Sequence, residues 1–191
     1  MIIEGGLDML ALIIIAVIVV LLILYVISTY NSLVNSRNKV KDQWSQVQVL
    51  LKRRYDLIPN LVETVKGYTK HESETFTNVV EARNKAVSAT TPEDEMKANG
   101  EVTKALSKLF ALTESYPELK ANENFLDLQA NLKDSEDKIT FSRQFYNDTV
   151  LTYQNKVQMF PSNIVAKMFG FKEMAFFEAT EEETKNVQVK F

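Results

Sequence analysis

The single histidine of the chain lies among carboxylates, which is where metal chemistry would be sought first. His71 is followed directly by Glu72, and Glu74 comes two residues later. A carboxylate-bridged di-metal site in a helical bundle needs inward Glu residues on several helices and paired Glu-x-x-His motifs. With one His and no Cys, the chain has neither that motif nor the usual ligands of zinc. We therefore predict no metal site and no cofactor, with His71 exposed and Glu72 at a polar position of a helix seam.

Four charged residues fall on or beside apolar positions of the predicted helices. Arg54 and Glu72 lie on the apolar stripe of the first helix after the N-terminal segment, and Glu136 and Arg143 flank that of a later helix. Buried charges need partners, so antiparallel packing would pair Arg54 or Glu72 with the other two, fixing register more than adding stability. The alternative is that all four extend to the edge of the bundle and contribute little. Nucleophile, base and orienting group do not occur together, so we predict no catalytic residue and no enzyme activity.

An apolar run near the N-terminus dominates the chain. It is bounded by Met9 and Ile27 and contains no charge, amide, Gly or Pro. Its length meets the requirement of roughly 20 residues for crossing the ~30 Å hydrocarbon core of a bilayer as a helix. We therefore predict a transmembrane helix at residues 9–27, with the lipid bilayer as its partner.

The residues that flank the run set its expected orientation. Glu4 and Asp8 precede it, and Arg37, Lys39 and Lys41 follow it. An acidic leader without a small-residue cleavage pattern favours an uncleaved, single-pass anchor over a signal peptide. The positive-inside rule places the N-terminus outside and the rest of the chain in the cytoplasm, at the cell membrane.

The remainder of the chain has the pattern of an all-α protein. Apolar residues recur every three or four positions from residue 33 onward, which is typical of long helices with one buried face. Thr91 before Pro92 is a helix start signal. We predict that the transmembrane helix continues into an antiparallel bundle of long helices over residues 28–170. The predicted segments are an N-terminus at 1–8, helices at 28–89 (kinked at Pro59), 92–115, 118–159 and 162–169, and a C-terminal tail at 171–191.

One predicted helix has a strict heptad of apolar residues, which favours close packing in a bundle or coiled coil. Its members lie seven residues apart: Phe125, Leu132, Ile139, Tyr146, Tyr153 and Phe160.

The segment around Pro59 has a structural and a functional interpretation. Proline inside a helix removes one backbone hydrogen bond and produces a kink. In the structural interpretation, Asn60 or Asp56 satisfies the freed backbone group while Tyr55 and its apolar neighbours pack. In the functional interpretation, Tyr55, Asp56, Pro59 and Asn60 form a surface for a partner protein.

A second candidate segment is rich in phenylalanine. Phe171, Phe176 and Phe177 belong to a tail that we expect to be a loosely ordered arm. These rings either form a docking patch for another protein or fold back over the end of the bundle.

The charge balance argues against a nucleic-acid partner. All 22 basic residues follow residue 28, as do all the 25 acidic residues except Glu4 and Asp8. The part outside the membrane is therefore close to neutral, whereas nucleic-acid binders normally have a basic face.

Several short motifs together resemble the LemA family. They are Tyr30-Asn31-Ser32-Leu33-Val34, Arg54-Tyr55-Asp56-Leu57-Ile58-Pro59-Asn60-Leu61, His71-Glu72, Tyr116-Pro117-Glu118-Leu119, Asn124-Phe125, Tyr146-Asn147, Phe160-Pro161-Ser162 and Gly170-Phe171. The resemblance implies a bacterial single-pass membrane protein with an antiparallel bundle of long helices, and it implies no reaction. We therefore expect a scaffold or adaptor that binds unidentified membrane or cytoplasmic proteins, or itself. A membrane-linked regulator or sensor is the alternative, and an enzyme subunit comes third.

Overall fold

The computed structural model describes residues 2–69 and 72–177, with side chains described from residue 9 onward. Its helices are α1 (Ile2–Lys66), α2 (Ser73–Ser88), α3 (Pro92–Thr113), α4 (Pro117–Lys120), α5 (Glu123–Gln158) and α6 (Ser162–Met168). No β-strand occurs among these residues, and the all-α fold class is confirmed. The described residues form two compact units. The first unit contains residues 2–41 and 149–174, and the second contains residues 42–69, 72–148 and 175–177.

Helix α1 contains the apolar run. Every side chain from residue 9 to residue 25 is exposed. Within the described part of the chain, α1 is the one helix that is both long enough and apolar enough to cross a membrane. Because none of its most apolar window is buried, this segment is not the core helix of a soluble domain.

The predicted helix over residues 28–89 is wrong in its second half. Helix α1 does run through Pro59, but it ends at Lys66, and α2 begins only at Ser73. Gly67 follows the last helical residue and has a poor helix propensity. Beyond Val65 the next buried apolar side chain is that of Phe76. A helix across this gap would have no apolar face to pack, and packing supplies most of a helix's stability.

The predicted helix over residues 118–159 is divided into α4 and α5. The side chain of Asn122 causes the new start, because its Oδ1 accepts a hydrogen bond from the Phe125 N–H at 3.0 Å. The start of α3 agrees with the sequence signal, since Thr91 Oγ1 accepts from the Asp94 N–H at 3.1 Å. Helices α3 and α6 end within two residues of their predicted limits.

The heptad of α5 is buried at every position except its last. Phe160 is 79% exposed because α5 ends at Gln158, so Phe160 no longer lies on the helix face. Of the other members, Tyr153 belongs to the first unit, and the rest join α1, α2 and α3 in burying apolar side chains of the second unit. These include Val47, Leu51, Ile58, Leu61, Val65, Val79, Val102, Leu106, Leu109, Phe125, Leu132 and Ile139.

Candidate functional site

Arg54 lies at the centre of the second unit, with 4% of its surface exposed. Its Nη1 donates a hydrogen bond to Asn99 Oδ1 at 2.8 Å, and its Nη2 donates to Thr103 Oγ1 at 3.1 Å. The same Nη2 forms an ion pair with Glu136 Oε2 at 2.8 Å. The predicted pairing of Arg54 with Glu136 is therefore confirmed, and one guanidinium joins α1, α3 and α5.

Burial and neighbouring charges act in opposite directions on this guanidinium. Burial lowers the pKa of Arg54, and the nearby Glu136 carboxylate raises it. Arginine remains charged in proteins at any ordinary pH, so the site holds a permanent cation. The buried Nε of Arg54 has no hydrogen-bond partner among the described residues. The ion pair therefore contributes mainly by specifying one arrangement of the helices.

Tyr55 lies next to this network and is 3% exposed. Among the described residues, its hydroxyl has no hydrogen-bond partner. Burial raises the pKa of Tyr55, and the positive charge of Arg54 only partly opposes this shift. The phenol therefore stays neutral at physiological pH.

Pro59 leaves a backbone acceptor of α1 without its usual donor. A residue at this position would normally donate its N–H to the carbonyl oxygen of Tyr55, four residues earlier, and proline has no N–H. Arg83 of α2 supplies a donor instead, with its Nε 3.4 Å from the Tyr55 oxygen. The cost of the proline is thus offset by a side chain from the neighbouring helix.

The predicted partners of that carbonyl make other contacts, so the expectation that Asn60 or Asp56 would satisfy it is wrong. The Asp56 carboxylate pairs with Lys52 Nζ at 2.6 Å, and the donor to the Tyr55 carbonyl is Arg83, not the Asn60 side chain. The backbone carbonyl of Asn60 accepts from Thr64 Oγ1 at 2.8 Å. Asp56 and Asn60 act within α1, and both are exposed, as is Pro59. Of the four candidate residues in this segment, only Tyr55 is buried.

Phe177 is also buried in the second unit, with 5% of its surface exposed. The Arg143 guanidinium lies 4.2 Å from the centroid of its ring, and the Trp44 ring centroid lies 6.3 Å away. The side chain of Asn147 forms two hydrogen bonds with the backbone of Phe177. Its Nδ2 donates to the Phe177 carbonyl oxygen at 2.9 Å, and its Oδ1 accepts from the Phe177 N–H at 2.8 Å. Phe176 beside it is 37% exposed.

The hydroxyl of Tyr146 also binds this segment. It donates to the Ala175 carbonyl oxygen at 2.9 Å. Burial, with a smaller contribution from the charge of Glu93, raises the pKa of Tyr146 to about 12. The hydroxyl is therefore a hydrogen-bond donor throughout the physiological range.

Within the first unit, residues 171–174 are held in the same manner. Tyr153 donates its hydroxyl to the Lys172 carbonyl at 2.8 Å, and Gln154 Nε2 donates to the Met174 carbonyl at 2.7 Å. Phe171 is 8% exposed and lies 5.1 Å from the Arg37 guanidinium. The expected loosely ordered arm is thus wrong for residues 171–177, because side chains of α5 bind its backbone. Residues 178–191 of the predicted tail lie outside the described residues.

A half-buried lysine marks the first unit. Lys156 Nζ of α5 donates to Ser36 Oγ at 2.7 Å and to Ser32 Oγ at 2.9 Å, one turn apart on α1. Within the described ranges, no carboxylate forms an ion pair with this ammonium group.

The second unit carries an exposed apolar surface, which we call the Phe141 surface: Phe141 and Phe145. Both side chains are 63% exposed. Phe141 and Phe145 are one turn apart on α5, so both rings lie on one side of the helix.

The predicted polar seam position of Glu72 has a specific partner. Its Oε1 accepts a hydrogen bond from the Tyr116 hydroxyl at 3.2 Å. His71 lies outside the described residues. Across the described residues, no three His, Cys, Asp or Glu side chains converge as metal ligands would. The absence of a metal site stays a prediction for the chain as a whole.

Comparison with known proteins adds identity to this geometry. Residues 43–191, which include the Arg54 network and the Pro59 segment, match the LemA family. The chain belongs to the LemA family. It is 27% identical to Protein LemA of Metamycoplasma hominis, over 82% of this chain and 72% of that protein.

Two further relatives of this LemA-family chain are named magnetosome proteins. It is 26% identical to Magnetosome protein MamQ 2 of Paramagnetospirillum magneticum and 25% identical to Magnetosome protein MamQ of Magnetospirillum gryphiswaldense. Each match covers 78% of this chain and 64% of the relative. The chain thus spans less than two thirds of the length of these two relatives.

Sequence reasoning missed two groups of side chains. Asn99 and Thr103 were not singled out, although Asn99 lies three residues before Val102 on the apolar stripe of α3, and an amide on such a stripe signals a buried polar partner. Asn147 gave no signal, because its partner is the backbone of Phe177, and every residue has a similar backbone.

Proposed function

We propose that this LemA-family protein is a membrane-anchored scaffold or adaptor, in which α1 spans the bilayer once and the second unit binds other proteins. The observation that carries the proposal is the Phe141 surface. Two exposed phenylalanines one turn apart are unusual for a surface in contact only with water, and aromatic side chains are enriched in protein–protein interfaces.

The Arg54 network supports the same role. It fixes α1, α3 and α5 in one arrangement, so Phe141 and Phe145 are presented by a helix whose register is specified. Preorganised side chains lose less entropy on binding and therefore bind more tightly. Asp56, Pro59 and Asn60, also exposed, are a second candidate contact.

We propose that the bundle is cytoplasmic and the N-terminus is outside. Glu4 and Asp8 before the apolar run, and Arg37, Lys39 and Lys41 after it, support this orientation. Labelling of a cysteine placed at Val49 tests it, because a membrane-impermeant thiol reagent should react only after the cells are opened.

Affinity capture of the full-length chain after crosslinking in its own cells tests the scaffold role. Wild type should retain a defined set of proteins, or further copies of itself, that the Phe141→Ser/Phe145→Ser variant loses. A matched variant, Lys133→Ser/Lys138→Ser, changes two exposed lysines of the same helix and should retain them. Identical sets from all three proteins would overturn the proposal.

A regulator or sensor is the second candidate, and the continuity of α1 favours it. The helix runs from Ile2 to Lys66 without an interruption between the apolar run and Arg54. A change in the membrane segment would then alter the partners bound. Replacing residues 9–27 by an unrelated apolar helix should change the captured set if the protein is a sensor, and should leave it unchanged if it is a passive scaffold.

A further inference from the structure

Helix α6 of the first unit has one buried and one exposed apolar face. Val165 and Ala166 are 2% and 0% exposed and pack inward. Large apolar side chains on the opposite side, and at both ends of the helix, are at least half exposed. We call them the α6 surface: Met159, Phe160, Ile164, Met168 and Phe169.

The α6 surface lies where α1 leaves its apolar run. The ring of Phe169 contacts that of Tyr30 edge to face, with centroids 4.8 Å apart. Tyr30 follows Ile27, the last residue of the run, by three residues, which is about 4.5 Å along a helix axis. Val26 is the first residue after the exposed stretch that is half-buried. If α1 spans the bilayer, α6 therefore lies at the depth where hydrocarbon gives way to headgroups.

The polar groups beside the α6 surface suit the same environment. Lys167, in the last turn of α6, is exposed. Lys156 contacts the hydroxyls of Ser32 and Ser36, so its positive charge is not neutralised by a described carboxylate. Lysines at this depth attract anionic headgroups. Amphipathic helices in the interface combine such lysines with an apolar face buried ~5–10 Å into the headgroup–acyl boundary.

We propose that the α6 surface inserts into the bilayer interface and is a second contact of this chain with lipid, next to the spanning helix. The inference rests on the proposed function in one respect, namely that α1 crosses the membrane. The contact between Phe169 of the α6 surface and Tyr30 favours lipid over a protein partner. Any occupant of this surface must lie at the membrane interface.

Site-directed fluorescence quenching tests the proposal, because the chain has no Cys and accepts single labels cleanly. Phe160→Cys and Met168→Cys, each labelled with an environment-sensitive dye, are reconstituted as full-length protein in vesicles of neutral and anionic phospholipids. Ile18→Cys in the apolar run and Phe141→Cys in the second unit are the matched controls. All four side chains are exposed, so the labels leave the core intact.

Nitroxide lipids that carry the quencher near the headgroup should quench most of the emission at positions 160 and 168, and little at position 141. Lipids that carry the nitroxide near the bilayer centre should quench the emission at position 18. If position 18 is quenched but positions 160 and 168 are not, the α6 inference is overturned while the spanning helix stands. If position 18 is not quenched either, the proposed anchoring itself fails. Shielding of positions 160 and 168 from aqueous iodide without lipid quenching would identify a second copy of this chain as the occupant and also overturn the inference.

Discussion

Arg54 in the second unit and Lys156 in the first are both cations at a contact between α1 and α5, but their partners differ. Arg54 has an amide, a hydroxyl and the Glu136 carboxylate, and its charge is neutralised locally. Lys156 has the hydroxyls of Ser32 and Ser36. A planar fork with three fixed partners specifies one helix register, whereas an ammonium group on two hydroxyls tolerates movement.

This difference is matched by the surfaces of the two units. In the second unit the charge of Arg54 is neutralised by Glu136, and the exposed apolar residues form the Phe141 surface. The first unit carries Lys156, which has no ion pair with a carboxylate of the described residues, and it also carries the apolar α6 surface and the end of the apolar run. The comparison indicates that the second unit is specified by its own interior, and that the first unit is suited to a lipid boundary.

The largest effect is expected from Glu136→Ala. This variant leaves Arg54 buried without its carboxylate, which should lower the free energy of unfolding by about 3–5 kcal/mol. Urea denaturation of the full-length protein in detergent micelles, followed by circular dichroism, measures it. The combined variant Arg54→Met/Glu136→Leu should recover most of the loss, since apolar replacement of a buried ion pair is often neutral or stabilising. A single-variant loss below about 1 kcal/mol, the range of surface pairs, would contradict the account.

A smaller loss is expected from Lys156→Met. It leaves the Ser36 hydroxyl, which is 6% exposed, without its donor and should cost about 1–2 kcal/mol in the same assay. Lys138→Met is the matched control, because Lys138 forms only an exposed ion pair with Asp134 one turn away and should cost about 0.3–0.5 kcal/mol. If Lys156→Met costs as much as Glu136→Ala, the distinction between the two cations is wrong.

The effect that is smallest at neutral pH is a loss of stability confined to alkaline pH. The pKa of Tyr146 is raised by burial from 10.0 to about 12. The folded state then retains a proton that the unfolded state releases, so stability is full below pH ~10 and falls as the pH rises toward ~12. Urea midpoints measured from neutral to alkaline pH should show this decline. Tyr146→Phe removes one ionisable group and should make the decline shallower, while buried tyrosines such as Tyr55, whose pKa is also raised, supply the remainder. An unchanged decline would assign the effect elsewhere.

Features set by local chemistry could be predicted from the sequence. Thr91 and Pro92 predict the start of α3, and a glycine such as Gly170 directly after a helix is typical of a helix end. The structure gives Gly170 a φ of +70°, with the Phe171 N–H bonded to the Ala166 carbonyl at 2.9 Å. Only glycine adopts this left-handed conformation at little cost. The sequence offered pairing of Arg54 with a charge of the later helix as one of two alternatives. The reason is that a charged residue on an apolar stripe is buried, and a buried charge is costly without a partner of opposite sign.

Features that depend on tertiary contacts with the backbone were not predictable. The break after Lys66 was missed because the apolar spacing resumes at Val79 in a register that fits one continuous helix. The sequence pattern therefore predicted a helix across a segment that has few apolar residues. The binding of residues 171–177 was missed because Tyr146 and Asn147 recognise carbonyl and N–H groups that carry no sequence signal. Phe160 was misassigned because the heptad continues beyond the last turn of α5.

Photocrosslinking in intact cells from positions 141 and 160 of the full-length protein tests the central claim most directly. A photoreactive side chain at Phe141 should yield adducts with specific proteins, and one at Phe160 should yield lipid adducts, both identified by mass spectrometry. The same probe at Lys138, an exposed position on the helix that carries Phe141, gives the background level. Protein adducts at position 141 no more abundant than at position 138 would contradict the account of a membrane-anchored scaffold.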